Sequence, residues 1–145
     1  MTSEQQAFVD SIRDFCRRET ATREQRGDDP HNPEIYRRIA DLGWLGVSID
    51  EQYGGTGGGL VDMCLLLDET GYGMAPIAGI GTTMIVAGAY ERFGSEEQKE
   101  AILGGIAGGA VEAIAMSEPE AGSDVGALSC RAERRNGSFV VNGQK

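Results

Sequence analysis

A mainly α-helical domain followed by the opening strands of a β-domain is the fold class this chain predicts. Three observations carry it. Apolar residues recur at three- and four-residue spacing through roughly the first hundred residues. The apolar period changes to two near residue 113, and the hairpin signals Asn136-Gly137 and Asn142-Gly143 occur only beyond that change. The 145 residues alone match one ordinary domain of roughly 100–150 residues. The change of period instead divides the chain into a helical domain, 1–112, and the start of a middle β-domain, 113–145.

From Ser3 to about Arg18, Phe8, Val9, Ile12, Phe15 and Cys16 form an amphipathic stripe behind a Ser3-x-x-Gln6 capping box. Residues 19–31 are polar with mixed charges and predict a solvated helix tail or loop, in which His31 is a loop residue. A second helix opens with Asn32 as N-cap and Pro33 at its first position, places Ile35, Ile39 and Leu42 on one face, and stops at Gly43. After the apolar segment 44–49 comes Tyr53-Gly54-Gly55-Thr56-Gly57-Gly58-Gly59, too rich in glycine for a regular element. It matches no phosphate loop: Gly-x-x-x-x-Gly-Lys-Ser/Thr is absent, and Leu60 takes the last position of Gly-x-Gly-x-x-Gly. Helices are predicted over Leu60 to about Tyr72 and over roughly Ile77 to Phe93, the latter apolar nearly all round and therefore buried. Another runs from the Ser95-Glu96-Glu97-Gln98 capping box through Leu103. Ala113–Ser117 then reads as a short strand, Glu118–Asp124 as a turn, and Leu128–Arg135 with Ser138–Val141 as a hairpin. Two or three strands do not make a stable sheet, so further residues or another chain are expected to complete it.

Composition narrows the function classes. Twenty-two glycines exceed the roughly ten expected at average usage, without a collagen period, in a chain that is 40% apolar. A net charge of −10 repels phosphate backbones, which argues against nucleic acid as a partner. One histidine excludes a multi-histidine metal site, and Cys16, Cys64 and Cys130 are odd in number and scattered, indicating neither a disulfide framework nor a zinc ribbon. The uncharged stretch Thr70–Tyr90 has membrane-spanning length, yet five glycines, Pro76 and three threonines favour a buried core helix, so no membrane insertion is expected. The first residues resemble neither a secretory signal nor a transit peptide, giving a cytoplasmic expectation.

The chemistry concentrates in Ile114-Ala115-Met116-Ser117-Glu118-Pro119-Glu120-Ala121-Gly122-Ser123-Asp124. A strand ending in a sharp turn exposes backbone N–H groups, Ser117 and Ser123 add hydroxyls, and Gly122 admits a closely approaching ligand; such a nest suits an anionic or carbonyl-rich molecule. The residues read equally well as a hairpin turn in which Ser123 and Asp124 satisfy neighbouring backbone donors. Asp68 and Glu69 are adjacent on their helix instead of facing each other and read as a solvated edge. Met63, Met74, Met84 and Met116 are flexible thioethers that suit a core or an acyl pocket.

The Ser117-Glu118-Pro119 and Gly122-Ser123-Asp124 runs closely resemble the first signature of the acyl-CoA dehydrogenases. Tyr53-Gly54-Gly55, Phe93-Gly94-Ser95-Glu96-Glu97-Gln98-Lys99 and Val141-Asn142-Gly143-Gln144-Lys145 are similar to further segments of that family, in the same order. The resemblance implies an N-terminal helical domain, a β-barrel-like middle domain and a C-terminal four-helix bundle, in a tetramer with one FAD per subunit. It implies α,β-dehydrogenation of an acyl-CoA, with electrons passed to an electron-transferring flavoprotein or similar acceptor. By the same resemblance Ile114, Ala115, Met116 and Ser117 contact the flavin, Gly122 and Ser123 lie near the FAD diphosphate, and Ser123 also meets the acyl-CoA. Glu118, Pro119 and Asp124 hold the turn, and Thr82, Thr83 and Met84 are candidates for chain-length selection. No catalytic residue is implied here, because the family's glutamate base belongs to the C-terminal bundle, so residues 1–145 alone are expected to be inactive. Alternatives on the same scaffold are a non-catalytic subunit completing an FAD and acyl-CoA site in a heteromer, an acyl-CoA oxidase, or a flavin monooxygenase. The chain departs from the family pattern at Glu120, a frequent glycine, at Gly104, a frequent proline, and at Ala110, a frequent glutamate; the last two are expected to loosen the interdomain linker.

Overall fold

In the computed structural model, which describes residues 1–145, a helical unit spans Met1–Ala113 and a second unit spans Ile114–Lys145. The first contains α1 (Ser3–Glu19), α2 (Arg23–Arg26), α3 (Pro33–Asp41), α4 (Leu60–Tyr72), α5 (Ile80–Phe93) and α6 (Glu96–Ala107), with single 3-10 turns at Trp44–Gly46 and Glu51–Tyr53. The second contains the antiparallel pair β1 (Arg131–Arg135) and β2 (Ser138–Asn142).

Local signals set most helix ends. Asn32 Oδ1 accepts from the N–H groups of Glu34 and Ile35, and Gly43 closes the α3 turn at φ 76°. The α1 capping box sits one residue earlier than expected: Thr2, not Ser3, accepts from Gln5 N, and the Gln5 side chain answers to Thr2 N. A second box, Thr22 with Gln25, builds the short helix α2 inside the stretch expected to be a solvated helix tail or loop. Leu42, expected on the core face, is instead the C-cap of α3 and half exposed, so the buried stripe is Ile35, Tyr36, Ile39 and Ala40. His31 is not free in its loop. It pairs with Ile77 in an isolated antiparallel bridge and its Nδ1 lies 3.1 Å from the Ala78 carbonyl, which ties residues 77 and 78 to the loop before α3.

The stretch 70–90 is not one buried helix, because Met74 at φ 53° and Gly79 at φ 95° break it, and α5 starts at Ile80 instead of Ile77. Nor is α5 buried all round: Ile80, Thr83, Met84, Val86 and Ala87 face inward, while Ile85 and Phe93 are 60% and 79% exposed. Helix α6 continues through Gly104 and Gly105, which therefore lie in a helix and not in a linker; burial of Leu103 and Ile106 outweighs the weak helix propensity of the glycines. No helix is long and apolar enough to cross a membrane, and all three cysteines are unpaired.

The core forms two clusters. Helix α1 packs on α4, with Ile12, Phe15, Ile39, Leu45 and Leu66 at the centre and Trp44 edge-on to both Phe8 and Phe15 at 5.9 and 5.4 Å. Helix α5 packs on α6, where Ile49, Tyr53, Ala87, Leu103 and Ile106 meet. The α1–α4 contact also holds Glu69, the presumed solvated residue, which is 6% exposed and receives Arg13 Nε and Nη2 at 2.8 and 2.6 Å. Removing one partner strands a buried charge, whereas removing both does not. Arg13→Met is therefore expected to lower the thermal midpoint more than the Arg13→Met/Glu69→Leu double variant, a comparison made by calorimetry on the four proteins of the cycle.

The glycine loop folds back on the segment before it. Thr56 N, Gly57 N and Gly55 N bond to the carbonyls of Gly46, Ile49 and Asp50 at 3.0, 2.8 and 3.2 Å. Its entry is fixed by Tyr53, whose hydroxyl donates to Glu96 at 2.7 Å; that bond to a carboxylate, with burial, pushes the phenol up to about 12. Gly55 and Gly58 serve close backbone packing: a Cβ there would lie 2.0 Å from the Ile49 carbonyl oxygen and 2.5 Å from that of Val47, respectively.

Candidate functional site

The residues that the sequence marks for cofactor binding, Ile114 to Ser117 with Gly122 and Ser123, lie in the second unit. Its hairpin turns at Asn136 and Gly137, with φ 50° and 83°, the left-handed pair a two-residue turn needs, and pairs Arg131 with Asn142 and Arg135 with Ser138. Strand β1 starts at Arg131 and not at Leu128, because residues 125–127 form a 3-10 turn capped by Asp124, whose Oδ1 accepts from Gly126 N. Residues 113–117 have no ladder partner and are not a strand within this chain; β1 and β2 pair only with each other.

What shapes the turn is Glu118. Its side chain is 4% exposed, and its two oxygens accept from Ser129 N at 2.7 Å, Ser129 Oγ at 2.9 Å, Cys130 N at 2.9 Å and Lys145 Nζ at 2.9 Å. The backbone hydrogen bond from Ser129, the Lys145 ammonium and the Cys130 N–H hold the carboxyl down at about 2. Glu118 N and Ala121 N also exchange bonds with each other's carbonyls, at 2.8 and 3.1 Å, which tightens the loop around Pro119 and buries Ala121. Lys145 Nζ makes a further bond to the Met116 carbonyl at 2.8 Å. Glu118 and Asp124 thus hold the turn, as expected. Lys145 and Ser129 are structural partners that sequence reasoning missed, being 27 and 11 residues from Glu118 with no periodic signal joining them.

The turn so fixed leaves a row of groups with no partner inside the chain. The N–H groups of Met116, Ser117, Gly122 and Ser123 donate to nothing in the protein, nor do the hydroxyls of Ser117 and Ser123 bond within it, and all four residues are exposed. Gly122 has no internal reason to be glycine. Its φ is not positive, and a Cβ built there meets no atom within 4 Å. Ile114 and Met116 are about half exposed, an apolar flank beside these donors. The arrangement is suited to the carbonyl-rich edge of an aromatic ring and to anionic oxygens. Its one buried carboxylate, Glu118, is committed to four donors. Met74 is an exposed turn residue and Met84 is core, so the methionines do not line a common pocket; Thr83 is buried and bonded to Glu112.

The model of the acyl-CoA dehydrogenase N-terminal domain matches residues 2–110. A probable acyl-CoA dehydrogenase of Bacillus subtilis, YngJ, is 31% identical over all of this chain and 40% of its own length. The mitochondrial isovaleryl-CoA dehydrogenase of Solanum tuberosum is 32% identical over 97% of this chain and 36% of its own. The crystal structure of an acyl-CoA dehydrogenase from Geobacillus kaustophilus superposes with a TM-score of 0.84 at 28% identity, covering 99% of this chain and 39% of that one. The chain therefore spans about two fifths of the length of these relatives.

Proposed function

The chain belongs to the acyl-CoA dehydrogenase family, and from that premise we propose that it supplies the N-terminal part of an FAD-dependent enzyme that desaturates an acyl-CoA thioester between its α and β carbons. The observation that carries this reading is the donor row beside Gly122, a glycine that the chain's own packing and backbone do not require.

Ile114, Ala115, Met116 and Ser117, through their backbone groups and the Ser117 hydroxyl, would hold the polar edge of the isoalloxazine. Gly122 and Ser123 would hold the diphosphate, with room at Gly122 and two N–H donors for negative oxygens, and the Ser123 hydroxyl would serve the acyl-CoA. FAD, when bound, accepts the hydride leaving the β-carbon. Glu118 keeps the donor row aimed, its carboxylate held by the N–H groups of Ser129 and Cys130, the Ser129 hydroxyl and the Lys145 ammonium. The base that removes the α-proton is a glutamate outside residues 1–145. Acceptance of electrons by an electron-transferring flavoprotein, assembly as a tetramer and a cytoplasmic setting belong to the same proposal, the last supported by three unpaired cysteines.

Full-length protein purified without added cofactor is expected to carry yellow flavin absorbance and to bleach on mixing with one member of an acyl-CoA panel. Colourless protein that neither takes up FAD nor reduces an artificial acceptor would sink the reading. Flavin bleaching accompanied by oxygen consumption would move the chemistry to an oxidase.

A further inference from the structure

One buried polar cluster lies outside the turn and has no role so far. Thr83, 1% exposed on the inward face of α5, accepts the N–H of Glu112 at 3.1 Å, and its hydroxyl faces the Glu112 carbonyl at 3.4 Å. Glu112 stands one residue before Ala113, where the helical unit ends, and two before Ile114. Beside the Thr83 hydroxyl lies the Tyr36 phenol, its residue 3% exposed; burial pushes the phenol up, and the neighbouring Thr83 hydroxyl offsets part of that push.

A threonine hydroxyl has one proton and two lone pairs. Thr83 uses the proton and one lone pair on the two backbone groups of residue 112. A two-point bond to main-chain atoms fixes position and direction together, so the clamp defines where the chain leaves the helical unit. The segment that leaves is Ile114–Ser117, whose free donors are useful to a rigid ring only if their starting point is fixed.

We propose that Thr83 is a positioning residue for cofactor binding: by clamping both backbone groups of Glu112 it sets the departure point of the Ile114–Ser117 donor row. This rests on the flavin reading above. Tyr36 is a packing neighbour whose hydroxyl the clamp does not need.

The test uses the full-length protein and two readouts, hydrogen–deuterium exchange of the 108–113 peptide and the rate at which FAD dissociates. Thr83→Val keeps the shape and removes the hydroxyl; it is expected to speed both by about tenfold, the effect of one lost hydrogen bond. Thr83→Ser is expected to restore both, and Tyr36→Phe to leave both at the wild-type rate. If Thr83→Val does not fold, Glu112→Pro deletes the same N–H from the other side and is expected to give the same pair of changes. Faster exchange with unchanged FAD dissociation overturns the positioning role and leaves the flavin reading intact, as does a Thr83→Ser variant that rescues neither. Wild-type protein that takes up no FAD overturns the flavin reading itself, and the proposed purpose of the clamp with it.

Discussion

Gly55→Ala is expected to be among the most destabilising single changes in the helical unit. A Cβ on residue 55 would lie 2.0 Å from the Ile49 carbonyl oxygen, 2.5 Å from its carbon and 2.6 Å from the Ile49 Cβ. The obstacle is backbone belonging to a residue 1% exposed in the second core cluster, so no rotamer change relieves it. The loop must lift, and in lifting it gives up the Gly57 N bond to Ile49 and the Thr56 N bond to Gly46. The expected loss is about 3 kcal/mol or more, a fall in thermal midpoint of roughly 10 °C. Gly59→Ala is the control. Its Cβ would find nothing nearer than 3.8 Å, and it is expected to shift the midpoint by no more than about 2 °C. Equal midpoints for the two variants, measured by calorimetry, would show that the loop does not pack as described.

The second large effect is expected at Glu118. Four donors converge on its carboxylate, and an amide of the same size can accept at only one of its two ends, so Glu118→Gln sets an N–H₂ against either Ser129 or Cys130 and Lys145. The turn that aims Met116, Ser117, Gly122 and Ser123 then loses its anchor. FAD dissociation from the full-length variant is expected to accelerate on the order of a hundredfold, with fast exchange through residues 117–130. The pH dependence has a definite sign. A carboxyl held near 2 in the folded chain and ordinary when unfolded stabilises the fold in full above its unfolded pKa, which lies near 4.5, and that contribution fades as the pH falls toward 2. Wild-type flavin release is thus expected to rise between those values, and Glu118→Gln to lack that component. A variant that retains flavin like the wild type across that range would refute the anchoring role.

Where a signal is carried by neighbouring residues, the sequence was sufficient. Asn32-Pro33 with Gly43 marked both ends of α3, Ser95 with Gln98 marked the start of α6, and Asn136-Gly137 placed the hairpin turn, because caps and turns are satisfied within four residues. Polar stretches hid what lacks an apolar period, as Thr22–Gln25 shows. Long-range pairings hid too. Glu69 looked solvated because its partner Arg13 lies 56 residues away, and the clamp of Thr83 on Glu112 spans 29. For the candidate site, the sequence identified the segment and its hydroxyls. What it could not supply was the division of labour within the turn, since which donors stay free depends on Glu118 engaging residues 129, 130 and 145.

The make-up of that carboxylate's surroundings separates two kinds of attraction by their response to ionic strength. Of the donors on Glu118, three belong to Ser129 and Cys130 and are neutral, while the fourth is the ammonium of Lys145, whose side chain is 28% exposed. Neutral hydrogen bonds inside a turn are nearly indifferent to dissolved salt, whereas mobile ions screen a partly solvated ammonium once the Debye length falls to about 10 Å or less. Concentrated electrolyte should therefore weaken the Lys145 tether to Glu118 while the grip of Ser129 and Cys130 persists, so that the turn slackens in saline without coming undone.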